Sequence, residues 1–226
     1  MTHQTTRYLR FDEFGQARPE AIIVTKLMMA FNDMSFANQA LADWRIQESR
    51  EHAHRREAAR RYFVRLELSH LHEAMKIVQQ VQANATLVHL LKRCSGPTQT
   101  AFATVATHAY RGAKHRRFRQ LVGNLRDNLT FHYDQCDSLV NTALTDRGSR
   151  PEGRQTSIIW GDRPHVTFFE AADQIADSIV VRQIWKIPRN ADTRAEIDKI
   201  AEEVHDILIA FLEFAGGLAW KFTERS

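Results

Sequence analysis

An arginine and a histidine stand close together in the segment LRDNLTFHYD, which runs from Leu125 to Asp134. Five residues separate Arg126 from His132. An imidazole can take up and release a proton near neutral pH, and a guanidinium can stabilise the negative charge that gathers on a phosphate. This pair suits metal-free cleavage of RNA, with His132 as general acid or base, Arg126 on the scissile phosphate and Asp127 orienting one of them.

The spacing of the pair limits how one copy of the chain could use it. Positions i and i+6 of a regular α-helix are separated by about 600°, which is about 240° around the axis, so the two side chains do not point at one atom. Two copies meeting across a dimer could combine their groups. The alternatives are structural: His132 continues an apolar stripe from Leu125 to Cys136 as a hydrogen-bonded core histidine, and Arg126 pairs with a nearby aspartate on the surface.

A basic run precedes this segment and meets no acidic residue before Asp127. Cations at the start of a helix oppose its dipole, so the run calls for an explanation other than helix stability. One explanation is that the run binds an RNA backbone, and the alternative is that it forms a solvated helix face. The predicted RNA-binding residues are Arg111, Lys114, Arg116, Arg117, Arg119 and Tyr133. An earlier run from Arg45 to Arg65 is interleaved with glutamates, which is typical of i,i+4 pairs on a solvated face.

The residues Arg126, Asp127 and His132 resemble the motif of the HEPN superfamily, in which four to six residues separate an Arg from a His and an Asn, Asp or His follows the Arg. The resemblance covers residues 60–146, about four core helices. It implies a homodimer that brings two Arg/His pairs together and metal-independent endoribonuclease activity, often in toxin or antiviral defence systems. In some HEPN-like proteins catalysis is lost and the bundle binds RNA or has a structural role.

Two observations qualify this resemblance. The pairs Arg45/His52, Arg65/His70 and Arg65/His72 have the same spacing, so the basic run and the polar context single out the Arg126 pair. In HEPN toxins that are modified by a nucleotidyltransferase antitoxin a Tyr lies two places after the His, whereas here Tyr133 follows His132 directly, which puts that form of control in doubt.

Other chemistries have less support in the sequence. The chain contains no GxxxxGK[ST], GxSxG or HExxH motif. Three Glu-x-x-His pairs (Glu51/His54, Glu67/His70 and Glu202/His205) could hold two metal ions in a helical bundle, but no Glu lies between Glu73 and Glu152 to complete such a site. We therefore predict no metal and no cofactor. Fold analogy suggests that Glu67 and His70 line the same cleft as the Arg/His pair. For Cys94, beside Arg93, a packing role is favoured over a nucleophile.

The elements that must position these residues are helices. Nine Gly and five Pro among 226 residues leave long stretches free of helix breakers, and apolar residues recur every three or four positions. We predict an all-α, antiparallel, HEPN-like bundle of about six helices in a single domain, with helices near 19–44, 49–83, 98–110, 114–144, 170–185 and 192–222. A short apolar turn spans 87–91. Residues 147–169 form a loop containing a small β-hairpin near 156–169 or an irregular turn, and residues 170–226 pack on the core.

Composition also bounds the partners. The formal net charge is +4, and arginine outnumbers lysine 24 to 7, a bias compatible with RNA. The first twenty residues lack an apolar signal-peptide core, and two cysteines cannot build a disulfide framework, so we expect a cytoplasmic protein with no membrane partner. The expected partners are RNA, a second copy of the chain and an antitoxin or defence-system protein. The alternative function is a noncatalytic helical module that binds nucleic acid or protein.

Overall fold

The computed structural model describes residues 5–8, 19–46, 53–127, 136–149, 155–160, 162 and 168–224. The predicted all-α class is confirmed for these residues, which contain eight α-helices and two π-helical segments. The helices are α1 (Pro19–Ile46), α2 (Ala53–Ala83), α3 (Ala85–Leu91), α4 (Gly96–Ala109), α5 (Ala113–Phe118), α6 (Asp137–Gly148), α7 (Glu170–Ser178) and α8 (Thr193–Thr223). The first π-helical segment is Arg119–Gly123, and the second is Ile179–Ile184.

The described helices outnumber the six predicted because two stretches are divided differently. Residues 87–91 belong to a helix of their own, α3, which begins where the side chain of Asn84 accepts a hydrogen bond from the backbone N–H of Leu87 at 3.0 Å. The predicted fourth helix runs from α5 through the first π-helical segment to residue 127 and is helical again in α6. Residues 128–135 lie outside the described part of the chain.

The predicted β-hairpin near 156–169 is reduced to a single antiparallel bridge in the described residues. Ile159 and Phe168 exchange two backbone hydrogen bonds of 2.8 Å, and no strand forms around them. The neighbouring side chains of Ile158 and Trp160 are 66% and 82% exposed. A short two-stranded ribbon needs a buried apolar face to be stable, and these side chains provide none.

The core lies between α1, α2, α4 and α8. α1 packs along α2, α2 packs against α4, and α8 packs against both α4 and α1. One face of α8 is buried, and Phe211 and Phe214 at its centre are completely inaccessible to solvent. Leu71 and Val78 of α2 are equally buried. None of the described helices is both long enough and apolar enough to span a membrane.

Gly217 marks the closest approach of α8 to α4. A Cβ added there would lie 2.2 Å from Oγ1 of Thr98, whereas a Cβ on Gly216 would lie 3.4 Å from the ring of Phe31. We expect Gly217→Ala to lower the free energy of unfolding by about 1–3 kcal/mol through overpacking. Gly216→Ala is the matched control, and its gain in helix propensity of up to about 1 kcal/mol should leave it at least as stable as the wild type. Urea denaturation that places the two variants at equal stability would contradict this packing.

Candidate functional site

Arg126 and Asp127 lie at the end of the helical stretch that begins with α5. Its apolar side, Phe118, Leu121, Val122 and Leu125, is buried as the sequence predicts. π-Helical turns are rare and occur frequently at functional sites, and the first π-helical segment ends three residues before Arg126. The Arg126 side chain is 27% exposed. The buried side of the helix therefore fixes the backbone, while the arginine reaches the edge of the bundle.

Two carboxylates hold the guanidinium of Arg126. Its Nε lies 3.0 Å from Oε1 of Glu73 on α2, and its Nη1 donates to Oδ1 of Asp127 at 3.1 Å. Glu73 also accepts a hydrogen bond from Nζ of Lys76 at 2.7 Å. The aspartate pairing expected as the structural alternative for Arg126 is therefore present, and a glutamate 53 positions earlier in the chain joins it. The contact with Glu73 is an ion pair, whereas the contact with Asp127 is also a hydrogen bond, so Asp127 gives the guanidinium its direction.

Glu73 is ionised in this network. Partial burial raises the pKa of its carboxyl, but the hydrogen bond from Lys76 and the charges of Lys76 and Arg126 outweigh that effect, so the pKa is lowered overall. At neutral pH the cluster of Glu73, Lys76, Arg126 and Asp127 therefore carries two negative and two positive charges. The guanidinium is positioned at little net electrostatic cost.

His72 lies immediately before Glu73 on α2 and packs against the helical stretch that begins with α5. Its ring stacks on that of Phe118, with centroids 6.4 Å apart and planes 10° from parallel. Gly123 of the first π-helical segment is also close, because an added Cβ there would lie 3.2 Å from Cε1 of His72. Nδ1 of His72 is buried and has no hydrogen-bond partner among the described residues. Burial lowers the pKa of His72, and the charges of Asp127 and Glu73 only partly oppose this shift.

A cleft of about 380 Å³ opens beside this cluster. Three imidazoles line it: those of His72 on α2, His108 on α4 and His115 on α5. Lys76 and Arg119 contribute two cations, and the remaining lining residues are Met75, Gln79, Phe118 and Asp127. Imidazoles that can carry protons and cations that attract phosphate therefore share one cavity at the side of Arg126.

The predicted RNA-binding residues are divided between this cleft and a second one. Arg119 lines the first cleft, whereas Lys114 and Arg117 line a neighbouring cleft of about 470 Å³ together with Glu203 and Asp206 of α8. Nε of Arg117 lies 3.3 Å from Oε2 of Glu203. This glutamate of α8 therefore balances part of the positive charge of the basic run, which has no acidic residue close to it in the sequence. Arg111 and Arg116 are exposed. His132 and Tyr133 lie outside the described residues.

The residues that fold analogy placed in the cleft are not among those that line it. Nδ1 of His70 lies 3.7 Å from Oδ2 of Asp33, so this histidine faces α1, and Glu67 lines neither cleft. His72 and Glu73 lie at this site instead, and neither is among the residues predicted for it. The one signal that could have found His72 is that it lies, with Arg65, at the spacing of the HEPN motif.

Among the residues that the structure describes, no three His, Cys, Asp or Glu side chains come together where they could hold a metal ion. Both cysteines are free thiols. The sequence allows Arg93 to lower the pKa of Cys94, but burial raises that pKa instead, although Lys221 opposes the shift. Burial therefore keeps Cys94 in its protonated, less nucleophilic form.

Comparison of the chain with protein-family models, curated proteins and solved structures finds no match. The chemistry of the cleft must therefore be judged from its own residues.

The buried imidazole of His108 predicts a pH-dependent stability. Burial lowers its pKa, Lys114 lowers it further, and Glu203 only partly opposes them. The unfolded chain binds this proton more tightly, so the contribution of His108 to stability is complete above about pH 6.5 and is lost as the pH falls to its native pKa. We expect the stability difference between wild type and His108→Gln to shrink between about pH 7.5 and about pH 5. Urea denaturation across that range would show a constant difference if His108 did not titrate in this way.

Proposed function

We propose that the chain is a metal-independent endoribonuclease of the HEPN type, which cleaves RNA with Arg126 and His132 and acts as a homodimer. One observation carries the proposal. Asp127 lines a cleft that contains three imidazoles and two cations, and its carboxylate accepts a hydrogen bond from the guanidinium of Arg126. The resemblance adds the setting of a toxin or antiviral-defence effector, with an antitoxin or another defence-system protein as partner.

These groups match the demands of RNA cleavage. Attack by a 2′-hydroxyl on the neighbouring phosphate concentrates negative charge on the nonbridging oxygens, and a guanidinium beside them stabilises that charge. One proton must leave the 2′-oxygen and another must reach the departing 5′-oxygen. Imidazoles do both near neutral pH, without a metal ion. In this proposal His132 moves one of the two protons, Arg126 binds the scissile phosphate and Asp127 orients Arg126.

The exposed cations would guide the rest of the RNA. Arg111, Lys114 and Arg116 are exposed along the start of α5, and Arg119 lies in the cleft itself. Contacts of this type position a nucleic acid by its phosphates and carry no sequence information. We therefore expect binding of RNA to weaken steeply with salt.

The test is an assay of end-labelled RNA in EDTA with purified wild-type protein, Arg126→Ala and His132→Ala. Arg93→Ala is the control, because this exposed arginine lines neither cleft. Circular dichroism checks the folding of each variant. The proposal expects cleavage by the wild type and by Arg93→Ala, and strongly reduced cleavage by the other two. Equal cleavage by all four proteins would point to a contaminating nuclease and contradict it.

A noncatalytic RNA-binding module is the second candidate, favoured by the exposed cations on α5. Gel shifts with the same RNA distinguish it. This candidate predicts a complex that weakens strongly between about 50 mM and about 200 mM salt, with no cleavage at either concentration. The substitution Arg116→Ala should then weaken binding to every RNA to a similar extent.

A further inference from the structure

We propose that His72 is a second catalytic histidine, the general base that removes the 2′-hydroxyl proton in the cleft beside Arg126. This inference rests on the proposed function and deepens it. His72 supplies one imidazole and His132 the other, so the two proton transfers are divided between two histidines.

The placement of His72 supports this role. Its ring packs against Phe118 and close to Gly123, and a packed group loses little freedom when a substrate binds. Because Nδ1 is buried, Nε2 is the ring nitrogen that can meet a bound molecule. The next residue along α2, Glu73, holds the Arg126 guanidinium. Asp127, which accepts a hydrogen bond from Arg126, lines the same cleft as His72, so a phosphate bound beside Asp127 and Arg126 would lie near this imidazole.

The charges around His72 favour a neutral ring. On α2, the negative charge of Glu73 and the positive charge of Lys76 act on the His72 ring. In the helical stretch that begins with α5, Asp127 adds a negative charge and Arg126 a positive one. These four charges nearly cancel, so burial decides the protonation state and lowers the pKa. A general base must be unprotonated before the reaction, and His72 meets that requirement at neutral pH.

Two further histidines of the cleft complete the surroundings of His72. His108 and His115 approach from α4 and α5, and Nδ1 of His115 donates to the backbone carbonyl of His108 at 2.8 Å. Arg119 of the first π-helical segment adds a further cation to the cleft. A phosphodiester entering it would meet positive charge from Arg119 and Lys76, with the His72 ring beside them.

The cleavage is a transesterification in which His72 and His132 divide the two proton transfers. Nε2 of His72 accepts the proton of the 2′-hydroxyl, and the 2′-oxygen forms a bond to phosphorus. The bond between phosphorus and the 5′-oxygen breaks, and the 5′-oxygen takes a proton from the protonated imidazole of His132. The products are a 2′,3′-cyclic phosphate and a 5′-hydroxyl. His72 is then protonated and His132 neutral, and exchange with solvent restores both.

The first test compares His72→Ala with His70→Gln. Both residues are histidines of α2, but His70 faces Asp33 of α1 and lines neither cleft. We expect His72→Ala to lower kcat by about 10²–10⁴-fold with little change in KM, and His70→Gln to leave both unchanged. Free imidazole added to His72→Ala should restore part of the rate, increasingly as the pH rises through the pKa of imidazole. A loss of kcat that imidazole does not restore would overturn the proposal.

The second test separates base from acid with an RNA whose scissile 5′-oxygen is replaced by sulfur. A thiolate leaves without protonation because its conjugate acid has a pKa of only about 8.5. We expect this substrate to restore cleavage by His132→Ala and to leave His72→Ala impaired. Recovery of His72→Ala on the sulfur substrate would assign His72 the acid role and overturn the proposal.

Failure of this inference can be told from failure of the proposed function. If wild-type protein does not cleave RNA in EDTA, the proposed function itself is wrong. If the wild type cleaves, Arg126→Ala is inactive and His72→Gln has the kcat and pH profile of the wild type, only the role of His72 is wrong. If His72→Gln is folded, inactive and has lost one limb of the pH profile, the inference is supported.

Discussion

Replacement of Arg126 by alanine is expected to reduce kcat/KM for RNA cleavage by about 10²–10³-fold, the usual cost of removing one preorganised group that stabilises transition-state charge. Arg126→Lys should recover only part of this loss, because an ammonium carries the charge but not the two-pronged geometry of a guanidinium. Initial rates on end-labelled RNA in EDTA measure both effects. A kcat/KM of Arg126→Ala within a few-fold of the wild type would contradict the assigned role.

The same substitution should leave the fold intact. When Arg126 is removed, Glu73 keeps both hydrogen bonds from Nζ of Lys76, at 2.9 and 2.7 Å, and the carboxylate of Asp127, which is 46% exposed, is solvated by water. The Arg126 side chain is also partly exposed, and exposed ion pairs contribute about 0–1 kcal/mol. Thermal unfolding of Arg126→Ala should therefore resemble that of the wild type, and inactivity can be read as a loss of chemistry.

The largest expected loss of stability follows from Phe211→Ala. Phe211 is completely buried at the centre of α8, with its ring centroid 6.2 Å from that of Phe214. Removing the ring creates a cavity in the core and should lower the free energy of unfolding by about 3–5 kcal/mol. Urea denaturation monitored by circular dichroism measures the change.

Ile209→Ala on the same helix is the control for Phe211→Ala. The Ile209 side chain is 49% exposed, so its truncation removes much less buried surface. We expect its effect on unfolding to be clearly smaller than that of Phe211→Ala. Equal effects of the two substitutions would mean that the buried face of α8 has been assigned incorrectly.

Helical periodicity predicted the long helices well because α1, α2 and α8 each bury a row of apolar residues. Helices α1, α2 and α8 lie close to their predicted bounds, and the stripe from Phe118 to Leu125 is buried as expected. Periodicity could not reveal the two π-helical segments, because one additional residue in a turn hardly changes the spacing of apolar positions. Helix α3 was missed because its seven residues are too few to show a repeat.

The candidate site was predicted only in part because its contacts join distant segments. Arg126 and Asp127 were singled out from local spacing, but Glu73 pairs with Arg126 across 53 positions and Glu203 pairs with Arg117 across 86. No pattern within one helix specifies such pairs. The position of His72 in the cleft depends on how α2 packs against the first π-helical segment, which the sequence does not display. The roles of His132 and Tyr133 stay predictions.

Analysis of the RNA ends produced by the wild-type protein in EDTA tests the central claim most directly. Cleavage by two imidazoles and a guanidinium, without a metal ion, must leave a 2′,3′-cyclic phosphate and a 5′-hydroxyl, and DNA must resist because it lacks the attacking 2′-oxygen. We predict both results. Absence of cleavage in EDTA, or cleavage that requires Mg²⁺ and leaves a 5′-phosphate, would contradict the account.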